Sequence, residues 1–146
     1  MPESSLGPQE SINRLIRENR VVDFSSPNLA LGMRPTNFGP GTSRWVWDSQ
    51  TPSVLNPFGT IQGGFLALFV DEMFSTAIAS VLDAGEWAVT AEVKISYLRA
   101  LRTETITGEA EVIRRTRALA FMQASIVNTR GEIAVTASST WAISKA

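Results

Sequence analysis

The hydrophobic positions of the chain form one long continuous block, followed by segments in which apolar and polar residues alternate. The block runs from Ile61 to Ala84, is apolar on nearly all sides of a helix and stops before Gly85, so it predicts one long buried helix. After it the period changes to two, which predicts a β-strand with one apolar face. The apolar positions of this strand are Trp87, Val89, Ala91, Val93, Ile95 and Tyr97.

Shorter segments of the same kinds flank these two elements. Residues 9–20 predict a short amphipathic helix, because Ile12, Leu15 and Ile16 recur at helical spacing. Residues 25–41 contain three prolines and predict a loop with one irregular edge strand around residues 29–33. Further strands are predicted over residues 42–50, 104–115, 119–128 and 133–143, with a turn-rich connection over 52–60 and a hairpin turn at Asn128 to Gly131.

One long apolar helix followed by an antiparallel meander is an α+β pattern. A helix that is apolar on every side must be covered, and four or five strands with one apolar face can wrap around it. We therefore predict the hotdog fold, a curved antiparallel sheet around one long central helix. Residues 1–24 are expected to form an N-terminal extension with the short helix, and residues 25–146 the hotdog domain.

Composition narrows the chemistry that this fold can carry. The chain has 146 residues, of which 44% are apolar and 18% charged, as expected for one globular domain. A net charge of -1 argues against non-specific binding to nucleic acid. The chain has no cysteine and no histidine, which excludes catalysis by a thiolate or an imidazole and the usual zinc sites. Its chemistry must use carboxylates, hydroxyls, amides and backbone dipoles.

The expected location is the cytoplasm. The first eight residues have neither the basic residues nor the apolar core of a signal peptide. The most apolar stretch, residues 61–82, contains Asp71 and Glu72 at its middle, where a bilayer would make both costly. We therefore interpret this stretch as a buried helix and expect no membrane partner.

Two adjacent glycines, Gly63 and Gly64, stand at the start of the long helix although glycine disfavours helix formation. They suggest that another group approaches the backbone there. The free N–H groups and partial positive charge of a helix N-terminus suit a developing oxyanion. The alternative is a glycine-rich turn that only allows a loop to pack tightly.

Asp71 lies two helical turns after Gly63, within the most hydrophobic helix of the chain. A carboxylate in such a place is hydrogen-bonded, paired with a cation, or functional. Eight residues span about 12 Å along a helix axis, so one reacting group cannot contact both Gly63 and Asp71 of the same helix. If both act in one reaction, they belong to two copies of the chain. The spacing therefore predicts a homodimer, which we expect to pair further into a dimer of dimers, a homotetramer.

The chain resembles the hotdog-fold acyl-CoA thioesterases of the phenylacetate-degradation (PaaI-like) type over roughly residues 28–143. The signature of that family is matched by Asn56-x-x-Gly59-Thr60-x-Gln62-Gly63-Gly64-x(6)-Asp71. The resemblance implies that the Gly63 N–H forms the oxyanion hole and that Asp71 of the partner subunit is the nucleophile or general base. It also implies that Asn56 orients the water or the carbonyl, and that Thr90 holds the attacking water. Ser75 is a second candidate for that hydroxyl role.

Gln62 departs from the family, which usually has histidine at this position. A glutamine amide can donate a hydrogen bond to the thioester oxygen, but it cannot become cationic or shuttle a proton. Hotdog hydratases and dehydratases are similar in fold but rely on a histidine paired with a carboxylate. This chain lacks that histidine, so hydrolysis is the reaction that the resemblance implies.

Arg114, Arg115 and Arg117 cluster between two predicted strands and are candidate ligands for the phosphates of coenzyme A. A solvated hairpin turn is the alternative, and Arg99 and Arg102 are other candidates for the phosphates. Aromatic residues are expected in the core or at an interface, with one or two lining an acyl pocket: Trp45, Trp47, Trp87, Trp141, Phe65, Phe69 and Phe74.

The predicted function is hydrolysis of an acyl-CoA to a free acid and coenzyme A. We expect no metal or redox cofactor, with coenzyme A entering as part of the substrate. Two alternatives remain open: a non-catalytic acyl-CoA-binding hotdog protein, and a thioesterase that acts on acyl groups carried by a carrier protein.

Overall fold

The computed structural model describes residues 7–48 and 50–145, and these form one six-stranded antiparallel sheet with two α-helices. The strands are adjacent in the order β1-β2-β4-β5-β6-β3, so β1 and β3 are the two edges. The helices are α1 (Pro8–Arg17) and α2 (Gly63–Ala79), and short 3₁₀-helices cover Pro27–Leu31 and Pro52–Val54. The strands are β1 (Met33–Gly39), β2 (Thr42–Trp47), β3 (Glu86–Tyr97), β4 (Ile106–Arg115), β5 (Leu119–Val127) and β6 (Ile133–Lys145).

Helix α2 lies along one face of the sheet and contacts strands β1 to β5, including both edge strands. A sheet whose two edges reach the same helix must curve around it, so the predicted hotdog fold is confirmed. Gly108 on β4 allows the close approach, because a Cβ there would lie 2.2 Å from Met73 Sδ. Two polar contacts fix the helix on the sheet: Ser43 Oγ donates to Met73 O (2.7 Å), and Trp45 Nε1 donates to Thr76 Oγ1 (3.1 Å).

Helix α2 is shorter than the predicted residues 61–84 at both ends. Before it, Ile61 is held in extended backbone, where its N–H donates to Leu101 O and it forms a β-bridge with Leu55. After it, residues 80–85 form turns that end at Gly85 with a positive φ of 80°. These flanking residues are apolar because the turns are partly buried, and the hydrophobic pattern alone does not separate them from the helix.

Strand β3 does not have the single apolar face that its alternation predicts. The pairing with β6 slips by one residue at Ala91, since Thr90 lies opposite Trp141 whereas Glu92 lies opposite Thr140. This β-bulge reverses which side chains face the helix in the first half of the strand. Thr90 therefore shares the helix-facing side of the sheet with the buried Trp141, whereas Trp87 and Val89 are 41% and 48% exposed.

Strand β1 is an edge strand as predicted, but it lies further along the chain than residues 29–33. Residues 27–31 form a 3₁₀-helix that begins at Pro27 and is capped by Ser26, whose Oγ accepts from Asn28 N (3.3 Å). The prolines restrict the backbone before the strand, which starts only at Met33. The other strands and the hairpin turn at residues 128–131 occur where they were predicted, with bounds that differ by a few residues.

The short helix α1 packs against the domain through its apolar side. Ile16 is 2% exposed, Asn13 Nδ2 donates to Glu86 O (3.3 Å), and Arg17 Nη1 donates to Leu82 O (3.1 Å). The division of the chain at residue 24 stays a prediction. Over residues 7–48 and 50–145, no helix is long and apolar enough to cross a membrane.

The aromatic residues are mostly in the core, as predicted. Trp45, Trp47, Phe69 and Phe74 are fully buried, and Trp141 is 4% exposed. Phe65 packs against the core while partly exposed. Trp87 is the exception, because the bulge in β3 turns it to the outer face of the sheet.

Candidate active site

The N-terminus of α2 presents backbone N–H groups at the protein surface. Gln62 occupies the N-cap position with extended backbone, and its side chain is exposed. The first hydrogen bond of the helix runs from Phe65 N to Gln62 O (3.0 Å), so the N–H groups of Gly63 and Gly64 lie ahead of it. Such N–H groups carry the positive end of the helix dipole and can bind an anionic oxygen.

Asn56 closes the loop that leads into α2. Its Oδ1 accepts from Phe58 N (3.0 Å) and Thr60 N (3.1 Å), while its Nδ2 donates to Thr60 Oγ1 (2.7 Å). Gly59 has a φ of 78°, which favours glycine at this turn. The asparagine, glycine and threonine of the signature therefore fix the loop before the helix, and a contact of Asn56 with substrate or water stays a prediction.

A cleft of about 320 Å³ lies beside Gly63 at the end of β3, where Tyr97, Leu98 and Arg99 form part of its wall. The Tyr97 hydroxyl donates to Gly63 O (2.8 Å). The sequence pattern predicted Tyr97 only as an apolar strand residue, so this contact with the glycine pair was missed. A larger groove of about 600 Å³, between Arg44 and Thr136, shares no lining residue with the cleft.

The structure brings Asp71 and Thr90 together within one chain. Thr90 Oγ1 donates to Asp71 Oδ1 (3.0 Å), across the gap between α2 and the edge strand β3. Asp71 is half-buried and Thr90 is exposed, so water and small molecules reach this pair. The contact depends on the bulge at Ala91, which places Thr90 on the helix side of the sheet.

Glu72 points to a different part of the molecule than Asp71, as expected for neighbours about 100° apart on a helix. It accepts a hydrogen bond from Asn28 Nδ2, in the 3₁₀-helix before β1. Burial raises the pKa of the Glu72 carboxyl, an effect that hydrogen bonds from Asn28 and Ser26 oppose and the charge of Asp71 reinforces. Glu72 is therefore a structural carboxylate that joins the 3₁₀-helix of residues 27–31 to α2.

Ser75 lies one turn after Asp71, but its hydroxyl donates to the backbone oxygen of Glu72 (2.9 Å). Of the two candidate hydroxyls, Thr90 is the one that contacts the Asp71 carboxylate.

Within the described residues, no group of three or more carboxylates is arranged to hold a metal ion.

The arginine cluster divides into one half-buried member, Arg115, and two exposed ones. Arg115 donates to Val81 O (3.0 Å) and to Glu86 Oε2, and it lies 3.7 Å from Asp83. These contacts tie Arg115 to the turn after α2, whereas Arg114 and Arg117 are exposed to solvent.

The alternative arginines lie near the N-terminus of α2. Arg99 lines the cleft and pairs with Glu132 at 3.5 Å. Arg102 lies close to the turn before the helix, where a Cβ at Gly59 would be 3.8 Å from its Nη1.

Comparison with solved structures shows the same fold. A thioesterase from Haemophilus influenzae is 20% identical, with 97% of this chain and 93% of that chain covered and a TM-score of 0.77. The PaaI protein from the phenylacetic acid degradation operon of E. coli is 20% identical over 90% of this chain and 95% of that one, with a TM-score of 0.76. A hypothetical thioesterase from Streptococcus pneumoniae, solved with coenzyme A, is 23% identical over 77% and 86% of the two chains, with a TM-score of 0.71.

Sequence comparison identifies the family. No curated protein is significantly similar to this chain. A family model described as the thioesterase superfamily matches residues 58–135, which is more than half of the chain and includes α2, Asp71 and Thr90. The chain therefore belongs to the thioesterase superfamily.

Proposed function

We propose that this protein is an acyl-CoA thioesterase, which hydrolyses a thioester to a free carboxylic acid and coenzyme A. The observation that carries the proposal is the hydrogen bond from Thr90 to Asp71, at an exposed position in a member of the thioesterase superfamily. In a chain without histidine and cysteine, an ionised carboxylate is the base best suited to activate water. We assign the hydrolytic chemistry to Asp71.

The contact between Thr90 and Asp71 suits the activation of a water molecule. The only hydroxyl hydrogen of Thr90 is donated to Asp71 Oδ1, so the lone pairs of Thr90 Oγ1 remain acceptors. Asp71 Oδ2 is a second acceptor beside it. A water that donates to both oxygens is held with a lone pair directed outward, towards a bound thioester. This arrangement favours Asp71 as a general base.

In the general-base route, the water oxygen attacks the thioester carbonyl carbon while Asp71 takes a proton from the water. The carbonyl oxygen becomes an oxyanion, which accepts a hydrogen bond from the Gly63 N–H. The C–S bond breaks as the oxyanion collapses, and the departing thiolate takes the proton from Asp71. In the nucleophilic route, the Asp71 carboxylate attacks the same carbon, the thiolate leaves, and water hydrolyses the mixed anhydride.

A shared site between two subunits follows from the positions of Gly63 and Asp71. They are about 12 Å apart along one helix, which is too far for one carbonyl group. Strand β3 is an edge of the sheet, so a second β3 can pair with it. Because of the bulge at Ala91, an antiparallel pair with its two-fold axis at Lys94 sets Thr90 opposite Tyr97 of the partner subunit. Asp71 of one subunit then faces the N-terminus of the other subunit's α2.

The exposed members of the arginine cluster, Arg114 and Arg117, are the proposed contacts for the phosphates of coenzyme A. The pantetheine arm separates these phosphates from the thioester, so their binding site must lie away from Gly63 and Asp71. Arg115 lies in the same cross-strand row as Thr90, with β5 and β6 between their strands. At the usual spacing between neighbouring strands, the backbones of Arg115 and Thr90 are about 14 Å apart.

We further propose a cytoplasmic homodimer that pairs into a dimer of dimers and needs no cofactor beyond the coenzyme A of its substrate.

The proposal is tested by measuring thiol release from a panel of short, long and aryl acyl-CoAs. We expect turnover of at least one member, and its acyl group identifies the substrate class. Tight binding of an acyl-CoA without thiol release overturns hydrolysis and supports a non-catalytic binding protein. Turnover of acyl groups on a carrier protein, with none on coenzyme A, overturns the assigned substrate but keeps the reaction.

A further inference from the structure

Tyr97 makes an unusual contact with the first residue of α2. It is the last residue of β3 and the only tyrosine in the sequence. Its hydroxyl donates to Gly63 O at 2.8 Å, and its side chain lines the cleft beside the helix N-terminus. Tyr97 is 51% exposed, so this contact is made at the surface of the molecule rather than in the core.

The hydrogen bond from Tyr97 fixes the orientation of the peptide unit between Gly63 and Gly64. In a trans peptide the C=O and N–H groups point in opposite directions within one plane. Holding the Gly63 oxygen therefore holds the Gly64 N–H, and it restrains the Gly63 backbone on the other side. Two consecutive glycines have no side chain to restrict them, so an external hydrogen bond adds restraint to the first turn of α2.

The ring of Tyr97 favours glycine at residue 63. A Cβ built there lies 3.2 Å from both the ring carbon Cζ and the hydroxyl oxygen of Tyr97, so a side chain would press against the ring. Gly64 differs from Gly63. A Cβ built at Gly64 has no atom of the described residues within 4 Å, apart from its neighbours in the helix. A side chain at 63 would thus need the Tyr97 ring to shift by a few tenths of an ångström, whereas the space at 64 is open.

We propose that Tyr97 is a positioning residue for the oxyanion site, a role that rests on the proposed thioester hydrolysis. Its hydroxyl holds the Gly63–Gly64 peptide and its ring lies beside Gly63, which limits rotation of the Gly63 backbone and so keeps the Gly63 N–H, in the preceding peptide, directed to the developing oxyanion. Restraint of this kind accelerates the chemical step, because the donor needs no reorientation in the transition state. Tyr97 acts through the backbone and takes no part in proton transfer.

Tyr97→Phe removes the hydroxyl and keeps the ring against Gly63. We expect kcat on the best acyl-CoA to fall about tenfold with KM within about twofold of wild type, because positioning acts on the transition state. Ser96→Ala is the matched control, since it removes a hydroxyl from the neighbouring residue, whose side chain lies on the opposite side of β3. This control keeps the wild-type kcat and KM.

The restraint itself is measured by hydrogen exchange of the Ala67 amide, which donates to the same Gly63 oxygen in the α-helical pattern. Exchange at Ala67 becomes several-fold faster in Tyr97→Phe and is unchanged in Ser96→Ala. Unchanged exchange in Tyr97→Phe overturns the proposal, because the hydroxyl then does not hold this turn.

The kinetic outcomes separate the two proposals. An active wild type with kcat unaffected by Tyr97→Phe overturns the role of Tyr97 and leaves hydrolysis intact. A rise in KM alone also overturns it, since Tyr97 would then bind the substrate rather than position the backbone. A wild type that hydrolyses neither acyl-CoA nor an acyl group on a carrier protein overturns the proposed function and, with it, the oxyanion role of Tyr97.

Discussion

The two sides of α2 differ in what covers them. On one side Leu66, Phe69, Val70 and Met73 are at most 3% exposed, and the strands of the same chain bury them. The residues at helical spacing on the other side are more accessible. Gly64 is exposed, and Ala67, Asp71 and Ser75 are only half-buried. The open side faces the edge strand β3, where Thr90 and Tyr97 are exposed. The chain thus completes its core on one side of α2 and leaves polar groups accessible on the other.

Asp71 and Glu72 show what this difference does to two adjacent carboxylates. Glu72 accepts a hydrogen bond from Asn28 in the 3₁₀-helix before β1, and burial raises the pKa of its carboxyl. Asp71 instead contacts one hydroxyl, that of Thr90, on the open side. Position on the helix, rather than residue type, separates a structural carboxylate from a candidate catalytic one.

The largest effect is expected from Asp71→Asn, which keeps the shape of the side chain and removes the charge. It should lower kcat 10²-fold or more, on the order of 3 kcal/mol of barrier, with the fold and the proposed dimer intact. The measurement is steady-state thiol release together with circular dichroism and sedimentation. Near-normal turnover of Asp71→Asn would remove the carboxylate from the reaction.

Glu72→Gln is the matched control for this substitution and should cost much less activity. Because burial raises the pKa of the folded-state carboxyl, Glu72 favours folding most when protonated. The contribution of protonated Glu72 to the free energy of unfolding is fully present at pH values below the ordinary pKa of glutamate. It is lost as the pH rises through the raised pKa of the folded state. Glu72→Gln should therefore flatten the dependence of the unfolding free energy on pH in this range.

The oxyanion site is tested by the pair Gly63→Pro and Gly63→Ala. Both place a Cβ against Tyr97, but only proline removes the N–H. Proline is tolerated at the first position of a helix, and the extended backbone of Gln62 suits a residue before proline. Relative to Gly63→Ala, kcat of Gly63→Pro should fall roughly 10²-fold, as for loss of one oxyanion donor. Equal activity of the two variants contradicts a role for this N–H.

A smaller effect is expected from Thr90→Ala, which removes the hydroxyl that contacts Asp71. We expect kcat to fall about tenfold, because the water loses one of its two acceptors while the base remains. Thr90→Ser keeps the hydroxyl and should retain most of the activity. If the serine variant is as slow as the alanine variant, the methyl group and not the hydroxyl is what matters.

The smallest kinetic effect should come from Arg114→Ala combined with Arg117→Ala. KM for an acyl-CoA should rise several-fold, since exposed charge pairs contribute about 1 kcal/mol or less, while KM for a pantetheine thioester without the nucleotide is unchanged. Equal changes on both substrates show that these arginines do not bind the nucleotide. Arg115→Ala is expected to lower stability instead, because it leaves the Glu86 carboxylate, 9% exposed, without its cation.

The sequence predicts most of the fold because strong periodicity reports burial directly. The apolar block of α2 and the alternation in β4, β5 and β6 give their positions to within a few residues. The bulge in β3 is not predictable in this way, since Ala91 is small enough to fit either face. The displacement of β1 is missed for another reason: residues 27–31 are apolar enough for a strand, but Pro27 and the cap by Ser26 start a 3₁₀-helix.

The candidate site is predictable in part. Asp71 is found because a carboxylate inside an apolar helix needs an explanation, and Gly63 because glycine is costly at a helix start. Thr90 is found only through the family resemblance, since alternation assigns it to the polar face of β3 and the bulge reverses that assignment. Tyr97 is missed because the alternation counts it only as an apolar residue of β3. The pattern gives no sign that its hydroxyl donates a hydrogen bond to Gly63 O.

The most direct test of a site shared between two subunits is complementation between Asp71→Asn and Gly63→Pro. Each variant alone is expected to be nearly inactive, since both sites of the proposed homodimer are damaged. Co-expression with two different tags and purification through both gives assemblies that contain mixed dimers, in which one site has both mutations and the other has neither. We expect these mixed dimers to recover about half of the wild-type kcat per dimer. Mixed dimers no more active than either variant alone would show that Gly63 and Asp71 do not meet across a subunit interface.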